Sequence, residues 1–329
     1  MAAAGGEQQS LHIPADDAVI AFRTEKSGIS GRLVRLGSVA ETILARHSNP
    51  ELVSIELGEA LGLAALLGSA LPGDGKIILQ TRTEGPVTFI VADYEAPGQI
   101  RGYARFDPDK LAAQASSASP LPQPRLLGSG HLAITIEQGQ SGERYQGIVA
   151  LDGGPLADGA KAYFENNEAL PTFVRLSVAR HFQAGRAQAG SPWFWRAGGI
   201  LLQHVAGAGE SQEAAPSGPR GESDEDWVRV RTLAETIEAH ELLDPTLTPE
   251  RLPLRLFHEE GVVVLKVQPL TAYCRCSRDR VFNVLKSFGA DELAGMHDES
   301  GRITATCEFC ATHYAFEPSE FSETGRDSG

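Results

Sequence analysis

The spacing of apolar residues changes period several times along the chain, and each change predicts a change of element. Between about Ala18 and Val205, short runs with every second residue apolar are interspersed with longer runs rich in Ala and Leu. GRLVRL (Gly31–Leu36) predicts a strand. PELVSIELGEALGLAALLGSAL (Pro50–Leu71) is too long for one, and its apolar residues cover most of a helix circumference, so it predicts a buried helix. KIILQTRTEGPVTFIVADY (Lys76–Tyr94) predicts two strands joined at a TEGP turn. Leu132, Ile134 and Ile136 share one face of a strand, and RYQGIVAL (Arg144–Leu151) predicts its antiparallel partner. Leu156–Leu170 predicts a helix that stops before Pro171. TFVRLSVARHF and GGILLQHVA (from Thr172 and Gly198) return to the strand pattern. Strands linked as hairpins with helices between them predict an α+β core with a mostly antiparallel sheet.

The pattern then stops. Residues 208–226 carry six acids and one Arg among Gly, Ser and Pro, with no apolar period, which predicts a flexible acidic linker. Helical spacing resumes in WVRVRTLAETIEAHELL, where Val230, Leu233, Ala234 and Ile237 share a face, and a shorter helix is predicted in TPERLPLRLFHEEG. VVVLKV (Val262–Val267) predicts a strand. This middle region is too small to hold much of a core alone and must lean on its neighbours. Further on, Ser277 caps a predicted helix RDRVFNVLKSF that Gly289 ends, and ADELAGMHDE predicts a second short helix. GRITATC and THYAFEP predict two strands around a CEFC turn.

Composition narrows the function classes. Apolar residues make up 42%, an ordinary globular value. The 29 Lys+Arg against 43 Asp+Glu give a net charge of −14, which argues against general affinity for nucleic acid or anionic membrane. No run of eighteen apolar residues exists to span a bilayer. The opening MAAAGGEQQSLHIPADD lacks the basic and apolar regions of a secretory signal, so a disordered tail and a cytoplasmic protein are expected.

All four cysteines, Cys274, Cys276, Cys307 and Cys310, fall within 37 residues after 273 without one. In a reducing compartment that clustering points to metal or redox chemistry rather than a disulfide frame. Two close pairs around a thirty-residue insert present four thiolates to one tetrahedral Zn²⁺. The C-x-C half is tighter, and the insert longer, than the common pattern. The same thiolates are oxidisable. Each half can close on itself, Cys274 with Cys276 and Cys307 with Cys310, and each closure removes two ligands. The very short C-x-C loop is strained, so Cys307–Cys310 is expected to close first. Spacing alone leaves a static zinc and a redox switch both open.

A resemblance separates them. CRCSRDRVFNVLKSFGADELAGMHDESGRITATCEFCATHYAFEPSEF resembles the zinc module of the 33 kDa chaperonin family, the redox-regulated heat-shock holdases. GRLVRLG, LGEALGLAALLGSAL, GPVTFIVADY, RGYARFD, LAITIEQG, RYQGIVAL and YFENNEALPT resemble that family's N-terminal domain in the same order, so the resemblance spans roughly Ile20 to Phe321. It implies a reduced, zinc-bound form inactive as a chaperone, with Cys274, Cys276, Cys307 and Cys310 as ligands and redox thiols. It further implies that oxidation forms two disulfides and releases zinc, that the middle linker region unfolds, and that unfolding client proteins are then bound without ATP, commonly by a homodimer. Loss of the zinc module is expected to remove the partner of residues 227–270 and expose Leu233, Ile237, Leu242, Leu243, Leu254, Leu256 and Phe257. The expected layout is a tail over 1–10, the α+β core over 11–207, the acidic linker and mainly helical middle region over 208–270, the zinc module over 271–320 and a tail over 321–329. The 208–226 stretch is longer and more acidic than the resemblance leads one to expect.

Competing readings are weaker. Arg275, Arg278, Arg280 and Lys286 near the first cysteine pair offer a zinc-stabilised nucleic-acid module as the alternative, yet residues 271–320 hold five basic and eight acidic side chains. A thioredoxin-like C-x-x-C opens a helix, whereas CEFC is followed by a strand pattern. No enzyme is expected, and no G-x-x-x-x-G-K-[ST] loop is present. His297 and His313 are expected to be surface residues because four sulfurs close a structural site. PWFWR (Pro192–Arg196) reads as packing against a sheet.

Overall fold

In the computed structural model, which describes residues 14–116, 126–139, 142–183, 191–204 and 225–322, the alternating runs become strands and the long apolar run becomes a helix. In chain order the elements are β1 (Ala18–Thr24), β2 (Ser30–Leu36), α1 (Ser38–Leu44), α2 (Glu51–Gly68), β3 (Lys76–Thr83), β4 (Val87–Glu95), β5 (Gln99–Phe106), α3 (Pro108–Ser116), β6 (Ser129–Glu137), β7 (Arg144–Asp152), α4 (Leu156–Asn167), β8 (Thr172–Phe182) and β9 (Trp193–Gln203). They continue with α5 (Glu225–Glu235), α6 (Ala239–Leu243), α7 (Arg251–Leu256), β10 (Val262–Pro269), β11 (Thr271–Ala272), α8 (Arg278–Leu285), α9 (Ala290–Ala294), β12 (Ile303–Thr306), β13 (His313–Phe316) and α10 (Ser319–Ser322). The expected N-terminal tail, residues 208–224 of the acidic linker and the last residues from 323 lie outside the described residues.

Two compact units result, Met1–Ala45 with Asn49–Ala272, and Arg46–Ser48 with Tyr273–Gly329. The first holds a five-stranded sheet in the order β10-β1-β2-β9-β8 and a six-stranded sheet in the order β11-β5-β4-β3-β6-β7. All pairings are antiparallel except the two-residue pairing of β11 with β5. The fold is therefore the mixed α+β, mostly antiparallel arrangement that the sequence predicts. Helix α2 packs on β2, β8 and β9 of one sheet and on β3, β4 and β5 of the other. That position explains its composition: every residue from Ala60 to Gly68 is buried, whereas Glu51, Glu56 and Glu59 mark the more accessible first half. Leu57, Leu61, Leu63 and Leu66 are fully buried in the cluster it forms with Val34, Leu36, Leu79 and Ile134.

The opposite face of the five-stranded sheet carries a second apolar cluster. Phe22, Leu33, Ile200 and Leu202 point there and are covered by Trp227, Val230, Ala234, Ile237, Leu242, Leu256 and Phe257 of α5–α7 and their connections. Phe22 and Phe257 stack with ring centroids 6.0 Å apart. Here the structure corrects an expectation. Residues 227–270 were expected to take the zinc module as their partner; the partner found is this sheet, and β10 is one of its strands. Of the residues expected to become exposed on opening, Ile237, Leu242, Leu256 and Phe257 are buried here, while Leu254 is already 45% exposed.

The single helix predicted from Trp227 onward is also broken, between α5 and α6. Arg175 of β8 donates to the carbonyls of Glu235, at 3.1 Å, and Ile237, and the Glu238 amide donates to Glu241 Oε2 at 2.9 Å to start α6. Carbonyls captured by a strand 60 residues away cannot continue a helix.

The start of α5 is tied down by charge. Arg229 donates to Glu260 at 2.7 and 3.1 Å and to Asp226 at 2.7 Å. The Arg229 bond holds the buried Glu260 carboxyl below its usual range. A depressed folded value contributes stability that is present above the unfolded value of about 4.3 and lost as pH falls through the folded one. Glu260→Gln is therefore expected to lower stability at pH 7 by about 1–2 kcal/mol, the lower part of the range for charged hydrogen bonds because Arg229 is half exposed. Denaturant titrations from pH 7 to pH 3 check it: the gap between variant and wild type closes in acid, and a gap independent of pH contradicts the assignment.

Candidate metal centre

The second unit brings its four cysteines together from two segments. Cys274 and Cys276 lie in the extended stretch between β11 and α8. Ser277 follows at once and caps α8, its Oγ accepting from the Arg280 amide at 3.2 Å, so the chain turns away directly after the second sulfur. Cys307 follows β12, and Cys310 closes the turn that leads to β13. That turn is held by the Cys307 amide on the Thr312 carbonyl at 2.9 Å and the Ala311 amide on the Cys307 carbonyl at 2.8 Å. Ala311 is left at φ 55°, a left-handed conformation that costs an alanine about 1 kcal/mol and folds the loop back under its own sulfurs.

All four sulfurs lie within 4.8 Å of one another. Cys274 Sγ is 3.7 Å from Cys307 Sγ, and Cys276 Sγ is 3.2 Å from Cys310 Sγ. A tetrahedron with metal–sulfur bonds of about 2.3 Å has edges of about 3.8 Å, so the set is close to the size zinc requires. The donor chemistry fits as well: four soft sulfurs with no oxygen or nitrogen in the cluster. Both of these sulfur–sulfur contacts run between the two sequence pairs, so an ion held here would tie the segment before α8 to the β12–β13 hairpin.

The surroundings tune the thiols unequally. Burial pushes Cys274, Cys276 and Cys307 up. At Cys310 burial acts the same way, but bonds from the Thr312 hydroxyl and amide and from neighbouring thiols outweigh it and bring the thiol down to about 7. Cys310 Sγ lies 3.1 Å from Thr312 Oγ1, and Tyr314 O–H donates to Cys276 Sγ at 3.1 Å. That bond, with burial, pushes Tyr314 up to about 12. Sequence reading does not single out Thr312 or Tyr314. The signal that finds them is a hydroxyl two and four residues beyond the C-x-x-C pair, just before β13 and on it.

The apolar core beside the sulfurs is small. Leu285, Ile303 and Phe316 are buried, with Val281, Phe282, Leu293, Met296, Tyr314 and Phe321 partly so. His297 and His313 are exposed and stand outside the sulfur cluster. Basic side chains near the first pair are engaged within the unit: Arg278 on Glu320 at 2.9 Å, Arg280 on the Arg275 carbonyl at 2.7 Å, and Lys286 over the Phe282 ring at 4.5 Å. CEFC sits in a hairpin turn rather than at a helix N-terminus, the setting that sharpens a thioredoxin-like dithiol. Of PWFWR, Phe194, Trp195 and Arg196 are buried in β9, while Trp193 is 46% exposed against Phe182.

Comparison with known proteins gives the family and the fold. A family description, "Hsp33 protein", matches residues 17–317. A 33 kDa chaperonin of Caulobacter vibrioides is 43% identical over 303 residues, covering 92% of this chain and 95% of its own. One of Ectopseudomonas mendocina is 35% identical over 312 residues, covering 94% and 95%. In fold, the chain resembles the crystal structure of a 33 kDa chaperonin from Thermotoga maritima, with a TM-score of 0.68 at 21% identity, covering 93% of this chain and 97% of that one.

Proposed function

The chain belongs to the Hsp33 protein family, and from that premise we propose that it is a redox-regulated, ATP-independent holdase chaperone. The observation that carries the reading is the convergence of the chain's only four thiols within 4.8 Å beside a core of three buried side chains. When bound to Cys274, Cys276, Cys307 and Cys310, one Zn²⁺ supplies folding free energy that so small a core lacks.

On oxidation each pair of thiolates gives two electrons to the oxidant, peroxide or hypochlorite, and closes an S–S bond: Cys307 with Cys310, then Cys274 with Cys276. The four ligands are consumed and the second unit loses its fold. Cys274 lies two residues beyond β11, and β11 follows β10 directly, so release passes along the chain into the middle region. Helices α5–α7 then loosen, and the apolar surfaces they share with the five-stranded sheet hold unfolding client proteins. The −14 net charge favours solubility of the opened protein. We assign the oxidised form as a homodimer and the working compartment as the cytoplasm. Nucleic acid and membrane are not among its partners in this reading. Among the described residues no helix is long and apolar enough to cross a membrane.

The test follows zinc with a metal-sensitive dye while peroxide is added to reduced protein at mildly raised temperature, with suppression of client aggregation measured in parallel. Zinc release, gain of holding activity and reversal of both by dithiothreitol and zinc are expected. Mapping of partly oxidised protein is expected to find Cys307–Cys310 leading. Zinc that stays bound, or leaves without any gain of activity, returns the cysteines to a static structural role.

A further inference from the structure

The face of the five-stranded sheet beneath α5 and α6 is not uniformly apolar. Its register sets out four rows across the sheet. Phe22, Gly31, Leu202 and Phe173 form the first; Ile20, Leu33, Ile200 and Arg175 the second. Ala18, Arg35, Gly198 and Ser177 form the third, and Arg196 and Ala179 extend to a fourth. One end is apolar, and three consecutive rows each carry one arginine. Rows repeat about every 7 Å, the same-face repeat of an extended chain.

All three guanidinium groups are spent on the middle region. Arg175 donates to the Glu235 and Ile237 carbonyls, Arg35 to the Leu247 and Glu241 carbonyls, and Arg196 to the Leu243 carbonyl at 2.6 Å. Arg35 is 1% and Arg196 3% exposed. Arg196 also has a carboxylate, Asp16. Among the described residues Arg35 and Arg175 hydrogen-bond carbonyls and no carboxylate, although Asp16, Asp244 and Glu250 act on Arg35 through their charge. A carboxylate adds opposite charge and can take two parallel bonds from one guanidinium, which a neutral carbonyl cannot. The resident segment thus leaves two cations on this face with a better bond still to make.

We infer that this sheet face, once α5 and α6 leave it, is a binding surface for unfolded segments in which an apolar stretch adjoins alternate carboxylates, selected by Arg35, Arg175 and Arg196. The inference rests on the chaperone reading above, because the middle region must release the face. It also runs against the bulk electrostatics: a chain of net charge −14 attracts basic peptides at long range. The two effects therefore predict opposite orders, which makes the surface testable.

Three labelled twelve-residue peptides share one alternating apolar half; the other half carries Asp, Lys or Ser at alternate positions. Their binding to the oxidised full-length protein is measured by fluorescence anisotropy. The Asp peptide is expected to bind at least tenfold tighter than the Lys peptide, with a gap that narrows as salt is raised. Arg175→Gln, on the half-buried edge strand, and Arg35→Gln are expected to shrink that gap several-fold while leaving the Ser peptide unchanged. Equal binding of Asp and Lys peptides, or preference for Lys, with the Ser peptide still bound, overturns the arginine selection alone. No binding of any peptide by protein that has lost its zinc overturns the chaperone reading beneath it.

Discussion

Cys310→Ser is expected to leave the second unit without its metal and unfolded, even under reducing conditions. Cys310 is the one cysteine of the four that is buried, and its thiol, brought to about 7, is the most readily ionised of them. Serine keeps the volume but not the soft donor, and a three-sulfur remainder cannot close a structural site. Only Leu285, Ile303 and Phe316 are buried around it, whereas zinc binding to such modules contributes on the order of 10–16 kcal/mol. No rearrangement of three side chains offsets a loss of that size. Metal content and amide dispersion of residues 273–322 check it: the variant is expected to hold less than a tenth of an equivalent of zinc and to lose the dispersed signals of β12 and β13. A folded, metal-free unit contradicts the argument. Under the proposed function, the same variant is also expected to hold unfolding clients without any oxidant.

Gly198→Ala is expected to open the middle region while sparing the rest of the first unit. A Cβ on Gly198 meets the Leu242 carbonyl oxygen at 2.5 Å and its carbon at 3.1 Å. These are backbone atoms of α6, so no side chain can swing aside. The helix must lift, and lifting it breaks the bonds of Arg196 to Leu243 and of Arg35 to Glu241. Overpacking of this kind costs about 1–3 kcal/mol, which appears here as easier local opening. Hydrogen exchange across residues 225–257 is expected to speed up on the order of tenfold, with β3, β4 and β6 unchanged. Binding of an apolar dye is expected to rise in step. Unchanged exchange over α6 shows that the close approach at Gly198 is not what seats it.

How much of this was legible in the sequence depends on the range over which each feature is encoded. Local signals read well. The Ala/Leu run gave α2, the TEGP turn joined β3 to β4, Ser277 capped α8, and the cysteine spacing picked out the four sulfurs. Features that need a distant partner did not. Strand β9 begins at Trp193 rather than Gly198, because PWFWR looks like an aromatic cluster until β8 is laid beside it. The break between α5 and α6 depends on Arg175, far upstream. The partner of residues 227–270 was assigned to the nearest module in sequence, while the true partner, β1, β2 and β9, begins some 200 residues earlier. GRLVRL hides the same lesson: its alternation marks a strand, yet whether Arg35 is surface or buried depends on carbonyls over 200 residues away.

The two faces of the five-stranded sheet belong to different apolar clusters, and the four-cysteine unit has a third. Heating such a chain is not a single event with one enthalpy. It is expected to proceed as more than one calorimetric transition, with the four-cysteine unit separate from the rest. The cluster around α2 is the largest, so it survives the loss of the other two and keeps β1, β2 and β9 in register. Under the proposed function, a molecule that opens and closes again is therefore expected to refold onto a standing template, and to escape the slow search for long-range strand pairing that a fully unfolded chain of this topology must repeat.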